Sequence, residues 1–98
     1  MQFSFYIQTE MLLLILHTIH GDVQSSQRMN ELEKRLSTKQ FYRCHNSYMV
    51  NFDYVEGVKQ DSVLIKDKAQ KLKTIPVSKY KKVEFMRALA RYVGKWEN

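Results

Sequence analysis

Apolar and polar positions alternate in short runs along most of this chain, and only two stretches carry a helical period. Phe3–Ile7 is aromatic and β-branched and reads as a strand. Met11–Ile19, rich in Leu and Ile, ends at the turn signal His20-Gly21-Asp22, and Val23–Ser25 returns, giving strand, turn, strand. Ser25-Ser26 offers a helix N-cap. Met29, Leu32 and Leu36 then follow at i, i+3 and i+7, with Arg28, Glu31, Lys34 and Arg35 on the opposite face. Phe41–Cys44, Tyr48–Phe52, Tyr54–Val58, Ser62–Lys66 and Leu72–Val77 are short strand candidates joined by polar connections. In two of them Val63 and Ile65 alternate with Leu64 and Lys66, and Ile75 and Val77 with Thr74 and Pro76. From Ser78, a possible cap, the period changes. Val83, Met86, Leu89 or Ala90, and Val93 recur every three or four residues, and Gly94 is the expected stop. The class is therefore mainly β: antiparallel strands in small packed sheets, with one short helix and a C-terminal helix.

Ninety-eight residues suit one domain, and 44% hydrophobic content suffices for a modest core. No internal repeat, low-complexity stretch or linker interrupts the chain. The single cysteine, Cys44, excludes an intramolecular disulfide framework and argues for a reducing compartment. The apolar run Met11–Leu16 is too short for a bilayer and lacks the basic flank of a signal peptide. The expectation is a soluble, cytoplasmic chain with no membrane partner. Charge sharpens this picture. Residues 1–40 hold four Lys/Arg and four Asp/Glu, whereas residues 41–98 hold twelve and six, so the whole excess of +6 lies in the second part. Lys66–Lys82 alone carries seven lysines and one acid, Asp67. Such one-sided charge attracts polyanions, nucleic acid before anionic membrane, although a solubilising lysine surface has the same composition.

Catalytic patterns are missing from the sequence. Cys44 and His45 are neighbours on a strand and point to opposite faces, so they cannot share a proton. No G-x-S-x-G, Walker A or G-x-G-x-x-G occurs, Asp53 and Glu56 have no converging partner, and His17, His20 and His45 lack metal-ligand spacing. No enzyme, cofactor or metal is expected. The informative stretch is Phe41–Asn51, whose strand-forming ends flank a polar centre of Arg43, His45, Asn46 and Ser47. Asn and Ser favour turns, so the centre reads as a loop or bulge between two strands. Asn46 has the donor–acceptor pair that reads adenine, and Arg43 and His45 can reach phosphate or guanine. The same residues also fit an Asx-type turn with a structural histidine. Cys44 has two readings as well: a buried apolar residue, or a thiol activated by neighbouring Arg43 and His45 and hence redox-sensitive.

This stretch resembles the signature of LytTR DNA-binding domains, roughly F-x-R-x-H-x-S-x-x-V-N, through Phe41, Arg43, His45, Ser47, Val50 and Asn51. Tyr54-Val55-Glu56-Gly57-Val58 and Ile75-Pro76-Val77-Ser78-Lys79 follow in the family's order and spacing. Upstream, Phe5-Tyr6-Ile7 and His20-Gly21-Asp22 before Asn30-Glu31-Leu32 fit its early part, so the similarity covers residues 5–85. Arg43-Cys44-His45-Asn46 is most similar to the quorum-sensing, accessory-gene-regulator type.

The resemblance implies an antiparallel β fold of a bacterial response regulator of a two-component system, which inserts loops into successive major grooves of promoter repeats, as a dimer on DNA. It implies DNA-binding roles for Asn46, with Arg43 and His45, and for Ser78, Lys79, Lys81 and Lys82; lysines of the 66–82 region would meet phosphates. The first loop, Gln8–Leu12, is shorter than the family's, and a base contact does not transfer to it. Family domains have a further strand before Phe5-Tyr6-Ile7 and a receiver domain upstream. A chain beginning at Met1 is thus expected to lack both and to leave a β edge exposed. Two rival readings are a module that pairs with and modulates a full-length regulator through that edge, and an RNA binder using its six tyrosines.

Overall fold

The computed structural model describes residues 4–36 and 39–97, with side chains to residue 94. Phe3, the expected first strand residue, lies outside them. Strands β1 (Ser4–Glu10), β2 (Leu13–Thr18), β3 (Gly21–Ser25), β4 (Phe41–His45) and β5 (Tyr48–Asn51) form one antiparallel sheet in the order β3-β2-β1-β5-β4. Strands β6 (Val55–Lys59), β7 (Ser62–Lys66) and β8 (Leu72–Pro76) form a second, three-stranded sheet in chain order. Helix α1 (Met29–Arg35) lies between β3 and β4, and α2 (Lys82–Glu97) closes the chain. The mainly β expectation with two helices is met. Among the described residues no helix is long and apolar enough to cross a membrane.

Alternation decides what each sheet buries. Val63, Ile65 and Ile75 point inward from the second sheet and join Phe5, Tyr6, Val50, Phe52 and Phe85 in one core cluster. The opposite face of the first sheet packs Ile7, Leu14, Leu16, Phe41 and Met49 under Met29 and Leu32 of α1. The predicted stripe of α1 therefore faces the sheet. β1 contributes to both clusters because its neighbours, Tyr6 and Ile7, point to opposite faces.

Several expectations change. β1 is the central strand, paired with β2 through Glu10↔Leu13 and with β5 through Tyr6↔Val50, so no free edge runs along Phe5-Tyr6-Ile7. The edges of this sheet are β3 and β4. The apolar run from Met11 is not all strand: Met11 and Leu12 form a two-residue turn, with Met11 at φ 57°. Helix α1 is capped by neither serine; its N-cap is Arg28 without a side-chain bond, and Ser25 Oγ instead accepts from Gln27 N at 3.1 Å. Ser78 begins a turn, its carbonyl accepting from Lys81 N at 2.9 Å, and α2 starts only at Lys82. α2 also continues through Gly94, to Glu97.

The face of α2 is the largest revision. Val83, Met86 and Val93 are exposed, while Phe85 and Ala88 are buried with Leu89 and Tyr92 packed beside them. Positions 85, 88, 89 and 92 are themselves i, i+3, i+4 and i+7. The helix carries two apolar stripes, and the aromatic one wins because Phe85 and Tyr92 remove more area from water than Val83 and Val93. Phe85 meets Tyr42 edge-on at 5.6 Å and Phe52 at 5.9 Å.

Candidate nucleic-acid interface

The polar centre of the informative stretch is a hairpin. His45 pairs with Tyr48, leaving Asn46 and Ser47 as a two-residue turn between β4 and β5. A loop this short presents its side chains on a rigid base. Asn46 is exposed at the tip. His45 folds back on the hairpin: its Nδ1 accepts from Ser47 N at 3.1 Å and its ring meets Tyr48 edge-on at 5.6 Å. His45 thus shapes the turn, and its other ring nitrogen is the atom left to face a ligand.

Arg43 sits below the tip with 14% of its side chain exposed. Its Nη1 donates to Asn30 Oδ1 and, at 3.1 Å, to Glu33 Oε1; its Nη2 donates to the carbonyl of Asn46 at 2.8 Å. The guanidinium ties α1 to the hairpin and fixes the backbone of Asn46. Sequence reasoning gave Arg43 a nucleic-acid contact, and the structure gives it three protein acceptors.

Ser78 N donates to the carbonyl of Cys44 at 2.7 Å, which holds the Ser78–Lys82 segment beside the end of β4. Arg43, Tyr80 and Lys81 line one cavity there, over Phe41 and Met49. Lys79 and Tyr80 are exposed, Lys81 and Lys82 half-buried. Lys82 Nζ lies 3.8 Å from Asp61 Oδ1, and Asp61 also accepts from Val77 N at its carbonyl, 2.9 Å away. The β6–β7 turn is thereby brought to the same end of the molecule. Ser78 is held at Cys44, two residues before Asn46, and Lys81 sits farther back along β4, beside Phe41 and Tyr42.

The lysine run as a whole is not one surface. Lys68 and Lys73 line a different groove with Tyr6, His17, Asp22 and Asp67, at the end of β1 and β2 away from the Asn46 turn. The β7–β8 turn carries them there, with Asp67 Oδ1 accepting from Ala69 N and Lys71 N at 2.9 Å each. His17 is structural in this groove: its ring stacks on Tyr6 at 4.2 Å, Nε2 meets Gln8 Oε1 at 2.7 Å and Nδ1 meets Asp22 Oδ1 at 2.9 Å.

Cys44 resolves in favour of the buried reading. It is fully enclosed, its Sγ donating to the carbonyl of Pro76 at 3.5 Å and facing that of Tyr48 at 3.9 Å. Burial pushes the thiol up to about 12, against the smaller opposing pull of its backbone hydrogen bond and Lys81. Proximity to Arg43 and His45 in sequence misleads here because alternation turns those side chains to the other face.

The signature asparagine, Asn51, has a structural role. It is buried, and it joins three segments: Nδ2 donates to the carbonyl of Ser4 at 2.9 Å, and Oδ1 accepts from Asp53 N at 2.9 Å and from Gln40 Nε2 at 3.5 Å. A polar residue ending an apolar strand directly before Phe52-Asp53-Tyr54 was the available signal. Among the described residues no group of three or more His, Cys, Asp or Glu is placed to hold a metal ion.

Comparison with known proteins gives this geometry a context. The model of the LytTr DNA-binding domain family matches residues 5–90. A curated relative, the "Sensory transduction protein LytT" of Oceanobacillus iheyensis, is 37% identical over 70 residues, which cover 65% of this chain and 28% of the relative. The chain thus spans under a third of that protein's length. A solved Bacillus cereus structure, described as a LytTr DNA-binding domain, superposes with a TM-score of 0.75. That match covers 89% of this chain and 81% of the other, at 19% identity, and bears on the fold alone.

Proposed function

This chain belongs to the LytTr DNA-binding domain family, and from that premise we propose that it binds duplex DNA sequence-specifically to regulate transcription. The observation that carries this reading is the exposed Asn46 turn, with Ser78 bound to the carbonyl of Cys44 two residues before it and the cationic Lys79–Lys82 segment continuing from there. Asn46 enters the major groove and makes the paired bond that an amide makes with adenine. Arg43 positions that turn from behind. Lys79 and Lys81 take phosphates on either side of the groove. His45 offers its free ring nitrogen to a neighbouring phosphate or guanine. Binding as a dimer to promoter repeats, within a bacterial quorum-sensing regulator in the cytoplasm, completes the reading.

Selection of bound duplexes from a random pool tests it. A single enriched motif is the expected result, and Asn46→Ala should lower affinity for that motif by about 1–3 kcal/mol while affecting random duplex less. An equal loss on both would make Asn46 a phosphate or loop residue. No enrichment over the pool would end the reading.

A further inference from the structure

The first sheet ends in β3 and β4, the second in β6 and β8. Three of these edges are blunted in ways that keep a strand from pairing with another chain. At β4, Ser78 N is bonded to the Cys44 carbonyl, and the ladder with β5 shifts register between Tyr42 and His45. β6 carries Lys59 and a register shift between Val55 and Gly57. β8 carries Lys73 and Pro76. β3, Gly-Asp-Val-Gln-Ser, has no lysine, arginine or proline. It pairs with β2 through five unbroken positions, and its first four residues are exposed. Its one charge, Asp22, is held on its own sheet by His17 Nδ1 at 2.9 Å.

The turn before β3 decides which main-chain groups the edge offers. Thr18↔Gly21 closes the two-residue Ile19-His20 turn and is a hydrogen-bonded pair, so Leu16↔Val23 and Leu14↔Ser25 are too, because the pair type alternates. The other ladder of β2 agrees. Glu10↔Leu13, also across a two-residue turn, directs Leu13, Ile15 and His17 to β1 and leaves the alternate residues for β3. Asp22 and Gln24 therefore point their N–H and C=O groups away from β2. Among the described residues, neither makes a main-chain bond on that side.

We propose that β3 is a self-association edge, where a second copy of this chain adds its own β3, antiparallel, with Val23 on the two-fold axis. In this register Asp22 faces Gln24 of the second copy, and Gln24 faces its Asp22. Both are hydrogen-bonded pairs, so every open group of both strands is satisfied at once. Sliding one strand by two residues satisfies half of them and sets Asp22 against Asp22, or Gln24 against Gln24. Val23, 51% exposed, meets its copy with Cα atoms about 4.5 Å apart and extends the apolar face that Leu16 begins. On the opposite face Asp22 Oδ1 is taken by His17, and Oδ2 is left to accept from the Gln24 amide of the second copy. β4, which carries the Asn46 turn, is at the far side of the sheet, so the pairing neither uses nor blocks that turn. Two five-residue strands make a contact well below the roughly 1,200 Å² of a stable complex, so association depends on concentration.

A cysteine scan of the edge tests both the contact and its register. Val23→Cys, Asp22→Cys and Gln24→Cys are each oxidised mildly at high protein concentration, without DNA, and covalent dimer is followed on non-reducing gels. The native chain, whose Cys44 is buried, is the blank. At position 23 the two Cα atoms fall within disulfide range, whereas residues 22 and 24 each lie about 8 Å from their own copies, outside it. Val23→Cys should therefore cross-link about tenfold faster than either neighbour. Asp22→Cys mixed with Gln24→Cys should cross-link faster than either alone, and in denaturant all rates should converge. Gln24→Pro, added to Val23→Cys, removes an outward N–H and leaves the β2 ladder intact, so it should keep the thermal midpoint and lose the rapid cross-link. Equal rates at the three positions, a maximum at 22 or 24, or a rapid cross-link in a folded Gln24→Pro chain would overturn the pairing. If the proline variant does not fold, Val23→Lys and Val23→Glu replace it. Each alone should stay monomeric and the mixture should associate, because like charges oppose at the axis and unlike charges attract; no gain on mixing would overturn the pairing as well.

Discussion

Cys44 illustrates how strongly one residue's environment differs from its neighbourhood in sequence. Its thiol lies under the carbonyls of Pro76 and Tyr48 with no exposed surface. Burial raises its pKa from 9.0 to about 12. Below pH 9 the thiol is protonated folded or unfolded, and the full contribution is present. Above it the unfolded chain ionises first, so stability falls as pH rises toward 12, by up to about 1.4 kcal/mol per pH unit. Tyr6 and Tyr42, raised by burial as well, act in the same direction. Urea midpoints at pH 8 and pH 10.5 should therefore diverge, and Cys44→Ala should narrow the gap. Alkylation at pH 8 gives an independent check: native protein should react far more slowly than protein in denaturant, and equal rates would contradict the burial. Asn46 was legible at this scale because Asn-Ser between two apolar runs is a turn by chemistry. Arg43 was not, because an arginine beside a turn looks the same whether it faces DNA or, as here, Asn30 and Glu33.

At the scale of elements, periodicity found every strand and both helices, while their ends and one face depended on packing. The strands of the second sheet could be read from alternation because only one of their faces is covered. Helix α2 offered two apolar stripes of the same period, and only the bulk of Phe85 and Tyr92 points to the one that packs. Phe85→Ala should destabilise the fold by about 3–5 kcal/mol. Val83→Ala and Val93→Ser, on the exposed stripe, should stay within about 0.5 kcal/mol of the native chain. Chemical denaturation of the three variants measures both, and a large loss at Val83 would reverse the assignment of faces. The helix starts were misplaced for a related reason. Ser25 Oγ accepts locally from Gln27 N, and the backbone carbonyl of Ser78 accepts from Lys81 N, so both residues make turns ahead of the helices rather than caps on them.

For the molecule as a whole, charge composition was visible in the sequence but its division into two ends was not. Topology sends Lys79, Lys81 and Lys82 to the segment that follows Ser78 beside Cys44, and Lys68 and Lys73 to the groove with His17 and Asp67. DNA affinity should fall with salt by about 0.9 log units per log unit for each phosphate met. Lys79→Ala should reduce that slope by about 0.9, whereas Lys68→Ala and Lys73→Ala together should leave it nearly unchanged. Binding isotherms at several salt concentrations measure the slopes; a shallower slope for the Lys68/Lys73 pair would place DNA across both ends.

The central position of β1 has a bearing on biosynthesis. Its second partner, β5, lies more than forty residues later, with Tyr6 waiting for Val50. As the chain leaves the ribosome, β1, β2 and β3 can form a local meander early. Until β5 emerges, that meander presents the open backbone of β1 and the side chains of Phe5 and Tyr6, whose cluster partners Val50, Phe52, Val63, Ile65 and Phe85 all come later in the chain. Such an intermediate is a template for pairing with another nascent chain. A fragment ending at Gln40 should therefore aggregate rather than fold, and sedimentation of that fragment beside one ending at Gly94 would reveal the difference. The same sheet that places two turns at one end of the finished fold leaves its apolar middle unguarded until β5 has emerged.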